Sequence, residues 1–238
     1  MPAKPSGTQT LVSPSPGKPS LLIFSRTQGF RHDSIPDGIA ALTELAHASG
    51  LGLDATEDPA EFSDEKLAPY AAVVFLSTTG DVLDAAGQAS FERYIAAGRG
   101  YVGVHAAADC EYAWPFYGEL VGAYFRGHSF VVPAAVTPEA VNHPSIAGLP
   151  SPWPRTDEWY GFQKNPRGTV TVLLSVDESS YEPGQGQMGT DHPVAWLHEY
   201  GGGRAFYTSL GHTSESFAEP LFLSHLQGGI AWASGLGD

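Results

Sequence analysis

Cysteine is nearly absent: Cys110 stands alone among 238 residues. That excludes an intrachain disulfide, a cysteine-based zinc site and an iron–sulfur cluster. Positive charge is scarce as well, with twelve Lys and Arg against twenty-six Asp and Glu and a formal net charge of -14. Binding to phosphate backbones depends on cations that neutralise them, so neither nucleic acid nor an anionic membrane surface is an expected partner. No apolar run approaches the ~20 residues that a bilayer crossing takes. The N-terminus, MPAKPSGTQTLVSPSPGKPS, has no apolar stretch of the signal-peptide kind. The cytoplasm is therefore the default expectation.

What is present is the composition of a globular chain. Hydrophobic residues make up 42% and aromatics 11%, enough for a sizeable core and too many for wholesale disorder. Residues 1–19, rich in Pro, Ser and Gly, read as a flexible tail, and residues 20–238 as a single domain. In the first half, apolar runs alternate with helical patterns, the signature of a parallel sheet. Strands are expected at Ser20–Ser25, Leu51–Thr56, Ala71–Leu76 and Gly100–Val104. Between them, Ser34-Ile35-Pro36-Asp37 opens a helix, with Ser34 as the cap and Gly50 as the stop. A second helix spans Ala85–Ala97. The second half is richer in strands: Phe130–Val136, Thr169–Val176, and a hairpin of Val194–His198 and Arg204–Ser209 around Gly201–Gly203. A helix over Pro220–Ala233 closes the chain, giving an α/β sandwich with strand-rich insertions.

Ligands of open parallel sheets bind at the carboxyl ends of the strands, so the residues after each strand carry the functional signal. Ser25–His32 follows the first strand, Ser77–Asp81 the third, His105–Asp109 the fourth and Leu210–Glu215 the last. Three of these four ends deliver a histidine: His32, His105 and His212. Histidine changes charge near pH ~6.5, which suits an acid or base around neutrality, and it is also the commonest metal ligand. Spacing alone does not separate the two roles. Two or three histidines with one carboxylate match catalytic zinc sites, so a zinc-like divalent metal on His32, His105 and His212 is one expectation. No organic cofactor is expected. Gly103-Val104-His105-Ala106-Ala107 has the layout of a nucleophile elbow, with His105 where Ser or Cys would stand. Cys110 lies five residues further on and reads as structural.

Six strings now carry a family resemblance. FRHxSI (30–35), STTG (77–80), GVHAAAD (103–109), DEWY (157–160), HPVAW (192–196) and GRAFYTSLGH (203–212) occur in the order found in ThuA-like, trehalose-utilisation proteins. The chain resembles that family over about residues 20 to 234. The resemblance implies a flavodoxin-like three-layer sandwich with a mainly parallel central sheet, like that of class I glutamine amidotransferases. It departs from the amidotransferases at the elbow: with His105 in place of the thiol, an acyl-enzyme is not expected and the protein is not a glutaminase. The resemblance further implies a lyase or hydrolase on trehalose-type or 3-keto-glycoside sugars, working beside a sugar dehydrogenase. A ketone at C3 acidifies the C2 proton, so a base can remove it and the C1 leaving group can depart before water adds. His32, His105 and His212 are the expected base, enolate or metal residues, with Glu158 or Asp109 as acid or orienting carboxylate. Phe30, Arg31, Thr78, Thr79, Trp159 and Tyr160 are the expected sugar contacts. A non-catalytic sugar-binding module and a keto-sugar isomerase are the alternatives, and the oligomeric state is open.

Overall fold

The structure is a computed structural model that describes residues 19–236; nearly all of the proposed N-terminal tail lies outside the described residues. Among those residues nine strands form one sheet in the order β2-β1-β3-β4-β9-β8-β7-β5-β6. The first five are parallel: β2 (Gly52–Thr56), β1 (Ser20–Phe24), β3 (Tyr70–Leu76), β4 (Gly100–Val104) and β9 (Gly203–Thr208). The rest are antiparallel: β8 (Pro193–Tyr200), β7 (Thr171–Val176), β5 (Phe125–Pro138) and β6 (Trp153–Phe162). The strand-rich second half is therefore an extension of the central sheet.

Three layers follow from the alternation of side chains along the buried strands. On β3, Ala72, Val74 and Leu76 face a layer made by α1 (Ile35–Ala48) and, after β9, the C-terminal helix Pro220–Ala233. Val73 and Phe75 face the other layer, where Phe91 and Tyr94 of the helix Ala85–Ala96 meet Tyr117 and Leu120 of the helix Pro115–Val121. The order β2-β1-β3-β4 has its topological switch between β1 and β3, the flavodoxin-like arrangement. Among the described residues no helix is long and apolar enough to cross a membrane.

The hairpin turn is where glycine is required. Tyr200 pairs with Gly203, and the two residues between them, Gly201 and Gly202, sit at φ +61 and +99, as a tight antiparallel turn demands. Two expectations need correction. Ser34 does not cap α1: its own backbone is helical (φ -74, ψ -10), and its hydroxyl instead donates to Gly211 O at 3.4 Å. Strand β6, which holds the DEWY string, was not expected at all. Its apolar alternation is broken by Arg155, Asp157 and Glu158, which are buried against partners far along the chain.

Candidate active site

Four strand ends and one antiparallel strand build the site. After β1 the chain leaves the sheet as a loop fastened to the end of β3. Gln28 N donates to Thr79 O at 2.7 Å, Gly29 N donates to Thr79 Oγ1 at 3.2 Å, and that hydroxyl donates to Phe30 O at 2.8 Å. This clip delivers His32, which is 4% exposed. His105 follows β4 directly and adopts φ +52, a left-handed backbone that costs a non-glycine residue about 1 kcal/mol or more. Two contacts hold it there: Tyr207 Oη donates to His105 O at 2.8 Å, and His105 Nδ1 lies 2.7 Å from Ser209 O. Gly103 is needed beneath this turn, since a Cβ there would stand 2.6 Å from Tyr101 Oη. His212 follows β9, and Glu158 arrives from β6.

Arg155 and Asp157 lock the last two into register. Asp157, fully buried, accepts from Glu158 N and His212 N through Oδ1, both at 3.0 Å. Through Oδ2 it accepts from Gly211 N at 2.9 Å and from Arg155 Nη2 at 3.0 Å. Arg155 is held in turn by Glu219 at 2.6 Å and Ser216 at 2.8 Å.

The result is a tight cluster. His105 Nε2 lies 3.1 Å from His32 Nε2 and 3.1 Å from His212 Nδ1. Glu158 Oε2 lies 3.2 Å from His212 Nδ1 and 3.7 Å from His105 Nε2. One ligand atom from each of these four residues falls within 4.8 Å of the others. The tautomer of His105 follows from its partner: a carbonyl only accepts, so Nδ1 carries the hydrogen and Nε2 turns its lone pair into the cluster. Burial, reinforced by His212, pulls His32 down to about 4. Burial, with both neighbouring histidines, takes His105 well below its ordinary value. Burial also opposes charge on His212, but the Glu158 hydrogen bond and charge outweigh it and raise the pKa. Near neutral pH, therefore, His32 and His105 are uncharged.

The donor set fits a divalent metal. Zn–N bonds of about 2.05 Å put tetrahedral ligand atoms about 3.3 Å apart; four of the six separations in the cluster, 3.1 to 3.7 Å, bracket that edge, and all six fall within 4.8 Å.

The remaining expected residues divide. Tyr160 backs the site, its ring 4.3 Å from that of His105, and Phe30 stands edge-on to His32 at 4.9 Å with 66% of its surface exposed. Asp109 lies outside the four-residue cluster; its Oδ1 accepts from Tyr112 Oη at 2.7 Å, and burial raises its pKa. Arg31 is paired with Glu57 at 2.7 Å. Thr78 and Thr79 are fully buried, and the hydroxyl of Thr79 is the clip described above. Trp159 is also fully buried, with Nε1 donating to Val132 O at 3.0 Å, so its ring is core and not a platform for sugar. Cys110 is buried, its thiol donating to Gly80 O at 3.1 Å. Sequence reading missed three residues here: Arg155, Asp157 as the clamp, and His128, whose Nδ1 lies 3.1 Å from Glu158 Oε1. Recognising β6 would have found Asp157 by its place in DEWY.

A family profile described as ThuA, trehalose utilisation, matches residues 20–233. The chain belongs to the ThuA family. ThuA-like proteins are also among the similar solved structures. One from Bacteroides uniformis is 24% identical, with 97% of this chain and 95% of that one covered, at a TM-score of 0.77. One from Parabacteroides merdae is 20% identical, with coverage of 91% and 90%, at 0.74. The β-galactosidase of Bacillus circulans shares the fold at 11% identity and a TM-score of 0.59, over 91% of this chain and 31% of that one. No curated protein sequence matches. Within the ThuA chain the elbow carries His105 as its central residue, and the carboxylate partner of His212 is Glu158 from the antiparallel half of the sheet.

Proposed function

We propose that this ThuA protein is a cytoplasmic enzyme that cleaves 3-keto-glycosides of the trehalose type by elimination followed by addition of water. The observation that carries the reading is the convergence of His32, His105, His212 and Glu158 with the lone pair of His105 Nε2 aimed inward. Binding a neutral sugar needs no such group of titratable side chains at one point, whereas proton removal next to a ketone does.

His32 Nε2, His105 Nε2 and His212 Nδ1 would hold a zinc-like divalent ion. Such an ion supplies Lewis-acid stabilisation of the negative charge that builds on the ketone oxygen. Glu158 Oε2 takes the proton from C2, and the electron pair of that C–H bond becomes the enolate. The enolate then expels the glycosidic oxygen from C1. Asp109, whose burial favours its protonated form, donates the proton that the leaving oxygen needs. Water then adds across the resulting double bond: Asp109 takes a proton from it as the hydroxyl joins C1, and Glu158 returns its proton to C2. Both carboxyls end as they began, and the 3-keto sugar is released after the free alcohol or second sugar. Tyr160 keeps the His105 ring in place from behind, and Phe30 offers a face to the sugar. The substrate is an oxidised sugar, so the reaction that supplies it is that of a sugar dehydrogenase.

The test is turnover by the purified protein on 3-keto-trehalose and a 3-keto-glucoside beside their unoxidised parents, with and without a chelator. Sugar release from the keto forms alone, abolished by the chelator and by His105→Ala, is the expected result. Isomerised substrate without a released alcohol would point to a keto-sugar isomerase. Tight binding with no turnover would make the protein a sugar-binding module.

A further inference from the structure

Beyond the inner cluster, the two sides of the site offer a ligand different surfaces. On the β1 side stands the exposed ring of Phe30, an apolar face, with Arg31 engaged by Glu57. On the β5–β6 side the surface is polar. Glu158 turns Oε1 outward to His128, at 3.1 Å from Nδ1. The same Nδ1 lies 2.7 Å from Ser129 O, so it carries a hydrogen. Nε2 is then the atom of His128 that remains for a ligand, on a side chain that is 50% exposed.

Phe125 joins His128 to the rest of this surface. Its ring lies 4.3 Å from that of Tyr160 and nearly parallel to that of His128, at 6.0 Å and 18°. Its carbonyl lies 3.1 Å from Tyr112 Oη, and that hydroxyl lies 2.7 Å from Asp109 Oδ1. Tyr112 is 42% exposed. An imidazole, a phenol and a carboxyl thus line one continuous strip that starts at the ring behind His105. Sugars are recognised by this mixture, apolar ring faces with a few fixed hydrogen-bonding groups between them.

The geometry points to a second subsite, formed by His128, Phe125, Tyr112 and Asp109, that takes the leaving-group half of a disaccharide. It rests on the proposed reaction, and the chemistry of that reaction gives the subsite its direction. The carbons at C2 and C3 must meet the inner cluster. The glycosidic oxygen is on the adjacent C1 and needs a proton donor, and Asp109 stands on the β5–β6 side. The leaving group therefore lies over His128 and Tyr112, while the oxidised ring lies towards Phe30. A hexose leaving group fills the strip; a methyl group leaves it empty.

The experiment compares wild type, His128→Ala and Tyr112→Phe, which keeps the ring and removes the hydroxyl. Calorimetry measures binding of trehalose and of methyl glucoside, and kcat/KM is measured on 3-keto-trehalose and on methyl 3-keto-glucoside. Each variant is expected to lose about tenfold in trehalose affinity and in kcat/KM for 3-keto-trehalose, the scale of one lost hydrogen bond or packed ring. Because Tyr112 touches Asp109 and His128 touches Glu158, long and short substrates share any loss in chemistry, and the signature is the ratio. The preference for the disaccharide over its methyl counterpart should fall at least about threefold, since the methyl ligands leave the strip empty. Equal losses on the long and short ligands would overturn the subsite while the proposed reaction stands. A wild type that binds neither sugar and releases nothing from either glycoside would overturn both.

Discussion

Asp157→Asn tests the clamp that makes the site. The carboxylate accepts four N–H groups: Glu158 N and His212 N on Oδ1, Gly211 N and Arg155 Nη2 on Oδ2. An asparagine amide has one accepting oxygen. Whichever way it turns, its NH2 faces two donors, and no water reaches a residue that is fully buried. Each stranded buried donor costs about 1–3 kcal/mol, and breaking a buried ion pair by removing one partner costs about 3–5 kcal/mol. These overlap, so the expected destabilisation is about 3–5 kcal/mol. For a domain of this size, that is a fall in Tm of about 6–20 °C. The backbone of His212 loses its anchor at the same time, and residues that orient metal ligands are worth about 10–100-fold in metal affinity. Thermal denaturation and zinc competition against a chromophoric chelator measure the two effects. A Tm within about 2 °C of wild type with unchanged zinc affinity would refute the reasoning.

Two further substitutions separate chemistry from packing. His225 in the C-terminal helix is fully buried, and burial holds its pKa down at about 4. The unfolded chain takes up this proton near pH 6.5 while the folded chain does not, so stability present above that pH is lost as pH falls from 6.5 towards 4. The full loss is about 3 kcal/mol from this residue. His225→Leu should remove up to about 1.4 kcal/mol per pH unit from the slope of stability across that window; an unchanged slope in urea titrations would count against it. Cys110→Ala removes a buried thiol whose pKa burial has raised. Turnover should stay within about twofold of wild type, because an unionised thiol is no nucleophile, and a large loss of kcat would reinstate cysteine chemistry at the elbow.

How far the site could be read from the sequence depended on where its residues sit. His32, His105 and His212 each follow a parallel strand whose apolar run is unmistakable, and the rule that ligands bind at carboxyl ends brought all three together. The elbow was legible too, because Gly103 and the three alanines after His105 allow a turn that the φ of +52 then requires. Glu158 was identified by resemblance alone, since its strand was invisible. In β6 the buried positions include Arg155, Asp157 and Glu158, and their burial is stabilised by Glu219, Ser216 and the loop at Gly211, 54 to 64 residues downstream. No local pattern encodes a charge that a distant segment neutralises. The same reason hid His128, which lies in the part of β5 that precedes the expected strand start at Phe130.

That distribution along the chain makes the metal itself a measurement of the fold. The three histidines that would hold it and Glu158 run from residue 32 to 212 and come from both halves of the sheet. An unfolded chain cannot gather them without closing loops of many tens of residues, so zinc should bind the native state and not the denatured one. Stabilisation then follows mass action: about 2.7 kcal/mol at one hundred times Kd and about 4.1 kcal/mol at one thousand times. For this domain each further decade of free zinc should raise Tm by about 3–6 °C. His105→Ala removes the central ligand, so its Tm should stay flat over the same range. Wild-type melting curves that do not move with zinc would remove the metal from the mechanism and leave the cluster as an acid–base group. In that case the lone pair of His105 Nε2, and not Glu158, becomes the first choice for the atom that takes the proton.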